Sequence, residues 1–364
     1  MVAGGLTENI RLVAIGAESR ERWEAVVRTD ANVNTLQTPI WCDCICRSEG
    51  LEDVTRSYES SDGRLIVLPL VRGRRLPMQL KVQSSWPGPW GFCGLLATEG
   101  RITSNDVSQI IKDLQAYSGL RTSVPVPRMA DAQLWEALVP PDVIRESRTT
   151  HVLDLSGGFE NVWRRRFAGA VRTATRKAER LGITVESDTT GRLLPVFDVL
   201  YRMSVDRWAK DRRHPLVIAR LLASRREPFR KFQIVADLLG ESCEVHIAWL
   251  DGKPLAGTIV LTHGVVATYW RGAMDIERAA GTGANELLHR VAIETACQSG
   301  CLQYDMQRSA SQNLGRFKSK FGAQPTTFLE YRFENIPVTV LDRRARVFAK
   351  RMLRMPKAEI SRSS

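Results

Sequence analysis

Apolar positions along the chain follow two rhythms, a helical one of three to four residues and short strand-like runs, and the same succession of the two occurs twice. The first round opens with helix over Ser19 to Ser48, then the strand "VTRSYES", the turn "SDG" and the strand "RLIVLPLVRG". The Pro/Gly-rich "SSWPGPWGFCG" interrupts it before a helix near Val107 to Tyr117. The second round has helices from Glu160 to Leu239, then "CEVHIAWL", "DGKP", "LAGTIVLTHG" and "VVATYWRGA". A glycine loop, the helix "ANELLHRVAIETACQSG", the strand "CLQYDM" and a short last helix complete it. "SDG" and "DGKP" predict hairpins, because Asp-Gly supplies the positive backbone angles a tight turn needs. The join falls near Thr149 to Gly158, where "THVLDLSGG" reads as a strand ending in a flexible pair. At 364 residues the chain exceeds one ordinary core, so the expected division is a domain over 1–150, a second over 151–335 and a basic helix or tail over 336–364.

The last helix is expected over Ala310 to Phe321, with Ser309 and Gln312 as a capping box and Gly322 as a left-handed stop. Leu314, Phe317 and Phe321 then share one apolar face, and Lys318 and Lys320 flank it almost symmetrically. Spacing leaves two readings open for either lysine: a cation serving a site, or a stem laid along the edge of the core. The loop "RAAGTGA", Arg278 to Ala284, opens a helix after a strand. Gly281, Gly283 and the N–H groups around Thr282 and Ala284 suit an anion cradle with Arg278 beside it; a structural turn explains the same letters.

Taken in order, hairpin, third strand, Arg-x-x-Gly-x-Gly loop, helix, "LQYDM" and "N-x-x-x-F-K-x-x-F-G" from Asn313 resemble the GNAT-type acyltransferases. "WRRRFAGAVRTATRKAERLGITV", "DGKPLAGTIVLTHGVVATYWRGA", "ETACQSGCLQYDM" and "RFKSKFG" resemble the CelD-like and Fem-type branch, which carries two GNAT-like domains in one chain. "TPIWCDC", "DGRLIVLPLV" and "SSWPGPWGFCG" resemble that branch's first domain. The resemblance implies an α/β (α+β) fold of two domains, each a mixed, mostly antiparallel sheet flanked by helices. It implies an acyltransferase acting on an amine acceptor, small molecule or peptide, with acyl-CoA as co-substrate and no tightly bound cofactor. Fem-type members use aminoacyl-tRNA, so transfer from aminoacyl-tRNA is the alternative. A catalytically silent RNA-binding protein of the same fold is the rival from another class. The resemblance places the pyrophosphate of the donor at Arg278 to Ala284 and the aromatic-lysine pair, Phe317 and Lys318, at the acyl centre. A fixed cation in a dry cleft stabilises the oxyanion that forms when an amine attacks a thioester or ester.

Tyr269, Arg271, Asp305 and a stripe of arginines have two readings each. Tyr269 and Arg271 project opposite Trp270, toward substrate or as core and rim residues. Asp305 ends its strand, as a proton acceptor or as a helix cap. A helix over Trp163 to Leu181 puts Trp163, Phe167, Ala170, Ala174 and Ala178 on one face and Arg165, Arg172, Arg176 and Arg180 on the other. That arginine stripe suits phosphates of tRNA or nucleotide, or is a solvated face. His289 reads as structural.

Charge sharpens the partner class. With 52 Lys+Arg against 40 Asp+Glu, a net +12, the chain favours polyanions: a phosphorylated donor, tRNA, or an anionic membrane touched by the basic tail, with DNA not expected. Seven cysteines at irregular spacing predict no disulfide framework, and Cys42, Cys44 and Cys46 have no partner pair at zinc spacing, so no metal is expected. The longest apolar run, "LIVLPLV", is too short to span a bilayer, and a cytoplasmic protein is expected.

Overall fold

A computed structural model describes residues 10–74, 77–127, 129–309, 311–340 and Arg344. Almost all of the expected basic tail, and Ala310, lie outside those residues. Packing divides the chain into two interleaved units: Met1–Gly169, Leu261–Trp270 and Ile293–Asn335 form unit 1, and Ala170–Val260, Arg271–Ala292 and Ile336–Ser364 form unit 2. The expected join at residue 150 lies inside a strand of unit 1.

Unit 1 begins with β1 (Arg11–Ile15), α1 (Arg20–Thr29), α2 (Pro39–Glu49), β2 (Leu51–Asp53), β3 (Arg56–Glu59), β4 (Leu65–Leu68) and β5 (Val71–Gly73). It continues through β6 (Val82–Ser84), β7 (Leu96–Ala97), α3 (Ser104–Gln115), β8 (Arg121–Val126), α4 (Met129–Leu138), β9 (Ile144–Asp154) and α5 (Gly158–Asn161). Unit 2 takes all but the first residue of α6 (Gly169–Arg180), then β10 (Thr184–Asp188), α7 (Leu194–Asp211), α8 (Leu216–Arg226), α9 (Phe229–Leu239) and β11 (Cys243–Leu250). β12 (Lys253–His263), β13 (Val266–Met274) and α11 (Ala284–Gln298) contribute residues to both units, and α10 (Ile276–Ala279) belongs to unit 2. β14 (Gln303–Arg308), α12 (Gln312–Ser319) and β15 (Gln324–Glu334) return to unit 1.

Within unit 1, β1, β3, β4 and β7 form an antiparallel sheet in that order. In its second sheet the start of β13 runs parallel to β14; β9, β15 and β8 follow antiparallel, β6 lies parallel to β8, and β5 and β2 close the row antiparallel. α3 shows why its residues fold as they do. Thr103 and Asp106 make a reciprocal capping box, and Val107, Ile110, Ile111 and Leu114 recur at helical spacing to bury one face. That face joins a core of Ile66, Leu68, Val124 and Trp135, with Trp135 stacked on Tyr331 at 5.4 Å between centroids. Trp270 of β13 meets Trp41 edge-on at 5.3 Å, and Trp41 meets Trp90 likewise.

Within unit 2, β10 lies antiparallel to β11, and Ala178, Ile183, Ala248, Leu255, Ala284, Leu287 and Leu288 form the core. Both expected hairpins are present. Gly63 has φ 80 between β3 and β4, and Asp251 and Gly252, at φ 50 and 70, turn β11 into β12.

The helical stretch expected over Glu160 to Leu239 contains the strand β10, and the single helix expected over Trp163 to Leu181 is broken. After a π-helical turn at Val162–Arg166 the backbone extends at Phe167 (φ −69, ψ 130) before α6 begins. The break resets the register, so α6 buries Val171, Thr175 and Ala178 while Ala170 is exposed. Arg165 therefore precedes the break and does not share a helix with Arg172, Arg176 and Arg180.

Candidate functional site

In unit 1, β9, β14 and α12 bring polar side chains together around a defect in the sheet. The antiparallel register of β14 on β9 shifts between Asp305 and Arg308, and Gln307 stands at φ 60, a left-handed conformation that glutamine adopts only at a cost. Asp305 fastens this bulge. Its carboxylate accepts from the Gln307 backbone N–H at 2.7 Å, the Gln307 amide at 2.6 Å and the Thr150 hydroxyl at 3.3 Å. Asp305 is thus mid-strand and caps no helix; what ends at it is the parallel pairing of β13 with β14, at Thr268 opposite Asp305. Burial pushes its carboxyl up, against the backbone hydrogen bond from Gln307 and the charge of Lys318.

The bulge decides between the two lysines. Lys318 is 1% exposed, and its ammonium donates to the carbonyls of Gln307 at 2.9 Å and Arg308 at 3.0 Å, while Lys320 is exposed. Burial brings the Lys318 pKa down to about 8, opposed by Asp305. Two residues beyond α12, Phe321 is fully buried, and the half-buried Phe317 of that helix packs edge-on against it at 5.1 Å. The helix is shorter than expected, and its cap is Ser311, whose hydroxyl accepts from the Leu314 N–H; Gly322 is left-handed as expected. Ser309, expected as the cap, instead shares a 2.9 Å hydrogen bond with Nδ1 of His151. Thr149, His151, Ser309, Gly315, Arg316 and Lys320 are among the residues that line a cleft here. His151 and Gln307 escaped sequence reasoning, and Ser309 was read only as a helix cap; β9 is polar from Arg145 to Thr150, so His151 did not stand out.

In unit 2 the glycine loop has a different construction from the one expected. Arg278 lies in α10, with its guanidinium 3.6 Å from Asp275, whose carboxylate caps that helix by accepting from Glu277 and Arg278 N–H groups. The Thr282 hydroxyl donates to the Ala279 carbonyl at 2.7 Å and accepts from the Ala284 N–H at 3.2 Å, fixing the entry into α11, and Ala284 is buried. Gly281 (φ 70) faces open space, whereas a Cβ on Gly283 (φ 82) would stand 2.1 Å from the Ala174 carbonyl oxygen. Of the two glycines, Gly281 alone has open space where a side chain would stand. On α6, Arg176 and Arg180 are exposed and line a surface hollow with Thr173 and Glu179, and Arg172 is half-buried.

Arg271 is anchored rather than displayed. It meets the buried Glu227 at 2.8 Å, and Lys231, also buried, approaches the other carboxylate oxygen at 3.0 Å as an ion pair without hydrogen-bond alignment. Burial, then Glu227, pushes the Tyr201 hydroxyl up to about 12. Glu227 and Lys231 were also missed, though their i,i+4 spacing was legible. Tyr269 is half-buried beside Trp270. Among the described residues no group of His, Cys, Asp and Glu is arranged for a metal, and no helix is long and apolar enough to cross a membrane.

Residues 164–319 match the family model of the GNAT acetyltransferase domain. A comparison with curated proteins finds no significant match. Among solved structures the chain is similar to FemX, with a TM-score of 0.63 and 16% identity over 92% of this chain and 99% of that one. It is similar to the C-terminal domain of a putative lysylphosphatidylglycerol synthetase from Agrobacterium fabrum (TM-score 0.53, 14% identity, 91% and 96% covered). A tandem GNAT protein from the clavulanic acid biosynthesis pathway gives TM-score 0.53 and 13% identity over 90% and 99%. The chain has the tandem GNAT fold seen in these Fem-like structures, and its residues 164–319 are similar to the GNAT acetyltransferase domain.

Proposed function

We propose that the chain is an N-acyltransferase that moves an acyl group from acyl-CoA to an amine. One observation carries the reading: the acetyltransferase match over 164–319 spans both the glycine loop and the buried Lys318. The amine nitrogen attacks the thioester carbonyl, the tetrahedral oxyanion collapses, and the thiolate leaves. Lys318 supplies positive charge beside the reacting carbonyl, where a fixed cation is worth most. Its two bonds to the bulge carbonyls, with Asp305 on Gln307, hold that charge in place. Phe317 shields the centre from water and Tyr269 contacts the substrate. Gly281 and the N–H groups at the start of α11 cradle the pyrophosphate. Arg176 and Arg180 supply charge for a further phosphate, on a helix whose Ala174 carbonyl closes over Gly283. Donor, acceptor and a cytoplasmic setting are all part of this proposal.

A second reading, aminoacyl-tRNA as donor, is supported by the likeness to FemX over 92% of this chain together with the Fem-type motifs. Melting curves with coenzyme A, acetyl-CoA and bulk aminoacyl-tRNA separate the two. A donor at a hundred times its dissociation constant stabilises by about 2.7 kcal/mol. Stabilisation by acetyl-CoA alone supports the first reading and by aminoacyl-tRNA alone the second. Salt-dependent RNA binding without transfer points to the silent RNA-binding protein.

A further inference from the structure

His151 is 4% exposed, yet it is among the residues lining the cleft of unit 1. Its ring is held at one nitrogen: Nδ1 and the Ser309 hydroxyl are 2.9 Å apart. The opposite edge of the ring, Cε1 and Nε2, lies under α12 where that helix carries Gly315. A Cβ on Gly315 would come within 3.4 Å of Cε1 and 3.5 Å of Nε2. Glycine inside a helix costs about 1 kcal/mol relative to alanine, and here it leaves empty the space beside Nε2 that a Cβ would fill. The Ser309 hydroxyl can accept from Nδ1–H or donate to a bare Nδ1, so this bond orients the ring whichever nitrogen keeps the proton.

We propose that His151 is the base of the acyl transfer, taking the proton of the acceptor amine on Nε2 while Nδ1–H donates to the Ser309 oxygen. The proposal rests on the acyl-transfer reading. The step balances with an acyl thioester as donor. The amine nitrogen bonds to the carbonyl carbon, one amine proton passes to Nε2, the carbon–sulfur bond breaks, and the imidazolium returns the proton to the departing thiolate. Burial and the nearby Lys318 both hold the ring below the usual histidine range, so it is neutral and able to accept a proton at pH 7. The charged groups around it are Lys318, buried on α12, and Arg316 and Lys320 on the cleft lining, which includes no carboxylate. That lining fits an amine carrying a carboxylate or phosphate near the reacting nitrogen.

Ser309 is a positioning residue and His151 the group that meets substrate, and two measurements test this. With ¹⁵N-labelled histidine, long-range ¹H–¹⁵N spectra of the full chain assign the tautomer of each of the 5 histidines, and loss of a signal in His151→Gln identifies His151. A neutral ring at pH 7.5 with the proton on Nδ1 is expected; a proton on Nε2, or a doubly protonated ring, overturns the proposal. In single-turnover assays acetyl-CoA is the donor and the probes are Ala-Ala, its C-terminal amide, glucosamine and glucosamine 6-phosphate. His151→Gln should then reduce kcat about 100-fold or more without changing the melting shift given by coenzyme A. Gly315→Ala, which keeps the histidine and covers Nε2, should reduce kcat as well. Unchanged kcat in both variants overturns the proposal. Equal use of charged and uncharged probes overturns the acceptor class. Absence of transfer in the wild type counts against the acyl-transfer reading itself, and the tautomer still decides whether His151 is built as a base.

Discussion

Lys318 carries its charge at 1% exposure, which a protein tolerates only when the ammonium is hydrogen-bonded. The sequence placed Lys318 and Lys320 as mirror images about Phe317 and Phe321. What separates them is the pair of carbonyls freed by the bulge at Gln307 and Arg308, 11 and 10 residues back, and nothing in the helix pattern encodes a bulge in a neighbouring strand. The contrast makes the first prediction. Lys318→Met, which keeps most of the buried volume, should lower single-turnover transfer by a factor on the order of 100 to 1,000. Lys320→Ala should stay within a few-fold. Lys318→Met should also lower the melting temperature, because two carbonyls lose their donor, at about 1 to 3 kcal/mol for an unsatisfied buried group; equal rates in the two variants would return Lys318 to a purely structural role. A second prediction concerns pH. The folded-state pKa of Lys318, about 8, lies below its ordinary 10.5. The unfolded chain therefore binds more protons between those values, and stability from this residue rises with pH across that window and is least below pH 8. Urea titrations at pH 7, 8, 9 and 10 should show that rise in the wild type and its absence in Lys318→Met.

At the scale of elements, local chemistry was legible and breaks were not. The Asp-Gly hairpins and the left-handed Gly322 follow from short-range rules and are present. The break at Phe167 was hidden because "RRRFAGAVRTATRKAER" has helical periodicity throughout, and Gly169, two residues after the break, is its one stop signal. The glycine loop teaches a similar lesson, since two glycines that look alike in sequence serve different ends. Gly283→Val should destabilise the protein outright, by collision with the Ala174 carbonyl, and so it reports on packing. Gly281→Asn keeps the left-handed angle at small cost and places a side chain where a pyrophosphate would lie. The third prediction is that Gly281→Asn melts like the wild type without ligand but loses at least about 90% of the coenzyme A affinity, a loss of about 1.4 kcal/mol, read by calorimetry. An unchanged affinity would remove the loop from the site. Arg176→Glu with Arg180→Glu should weaken whichever phosphorylated donor binds and flatten the salt dependence of that binding, because exposed arginines contribute through screened charge. Arg165→Glu, before the break, should not.

At the scale of the whole molecule, the least legible feature was the return of the chain to unit 1. β15 falls at the end of the expected second domain, 151–335, yet it lies between β8 and β9, paired with β9 from Gln324 to Arg332 and with β8 from Leu329 to Glu334. Such pairing joins residues from 172 (Gln324 with Val152) to 213 (Glu334 with Arg121) apart in the chain, and no local periodicity records it. The strand also completes the core, since Tyr331 is fully buried against Trp135, and Phe333 is buried in the same cluster. A sequential cut at residue 150 therefore falls within β9 and parts β8 from β15. The fourth prediction follows from this arrangement. A chain ending at residue 323 loses the strand that pairs both β8 and β9, leaving two unpaired edges and an open apolar face, and should be unfolded or aggregated by circular dichroism and size-exclusion chromatography. Tyr331→Ala is the milder test in the intact chain. It removes a buried aromatic at about 3 to 5 kcal/mol and should shift the unfolding midpoint strongly, while Thr326→Ala, on the same strand and only partly buried, should shift it little. A soluble, cooperatively melting truncation would show instead that the sheet of unit 1 closes without β15.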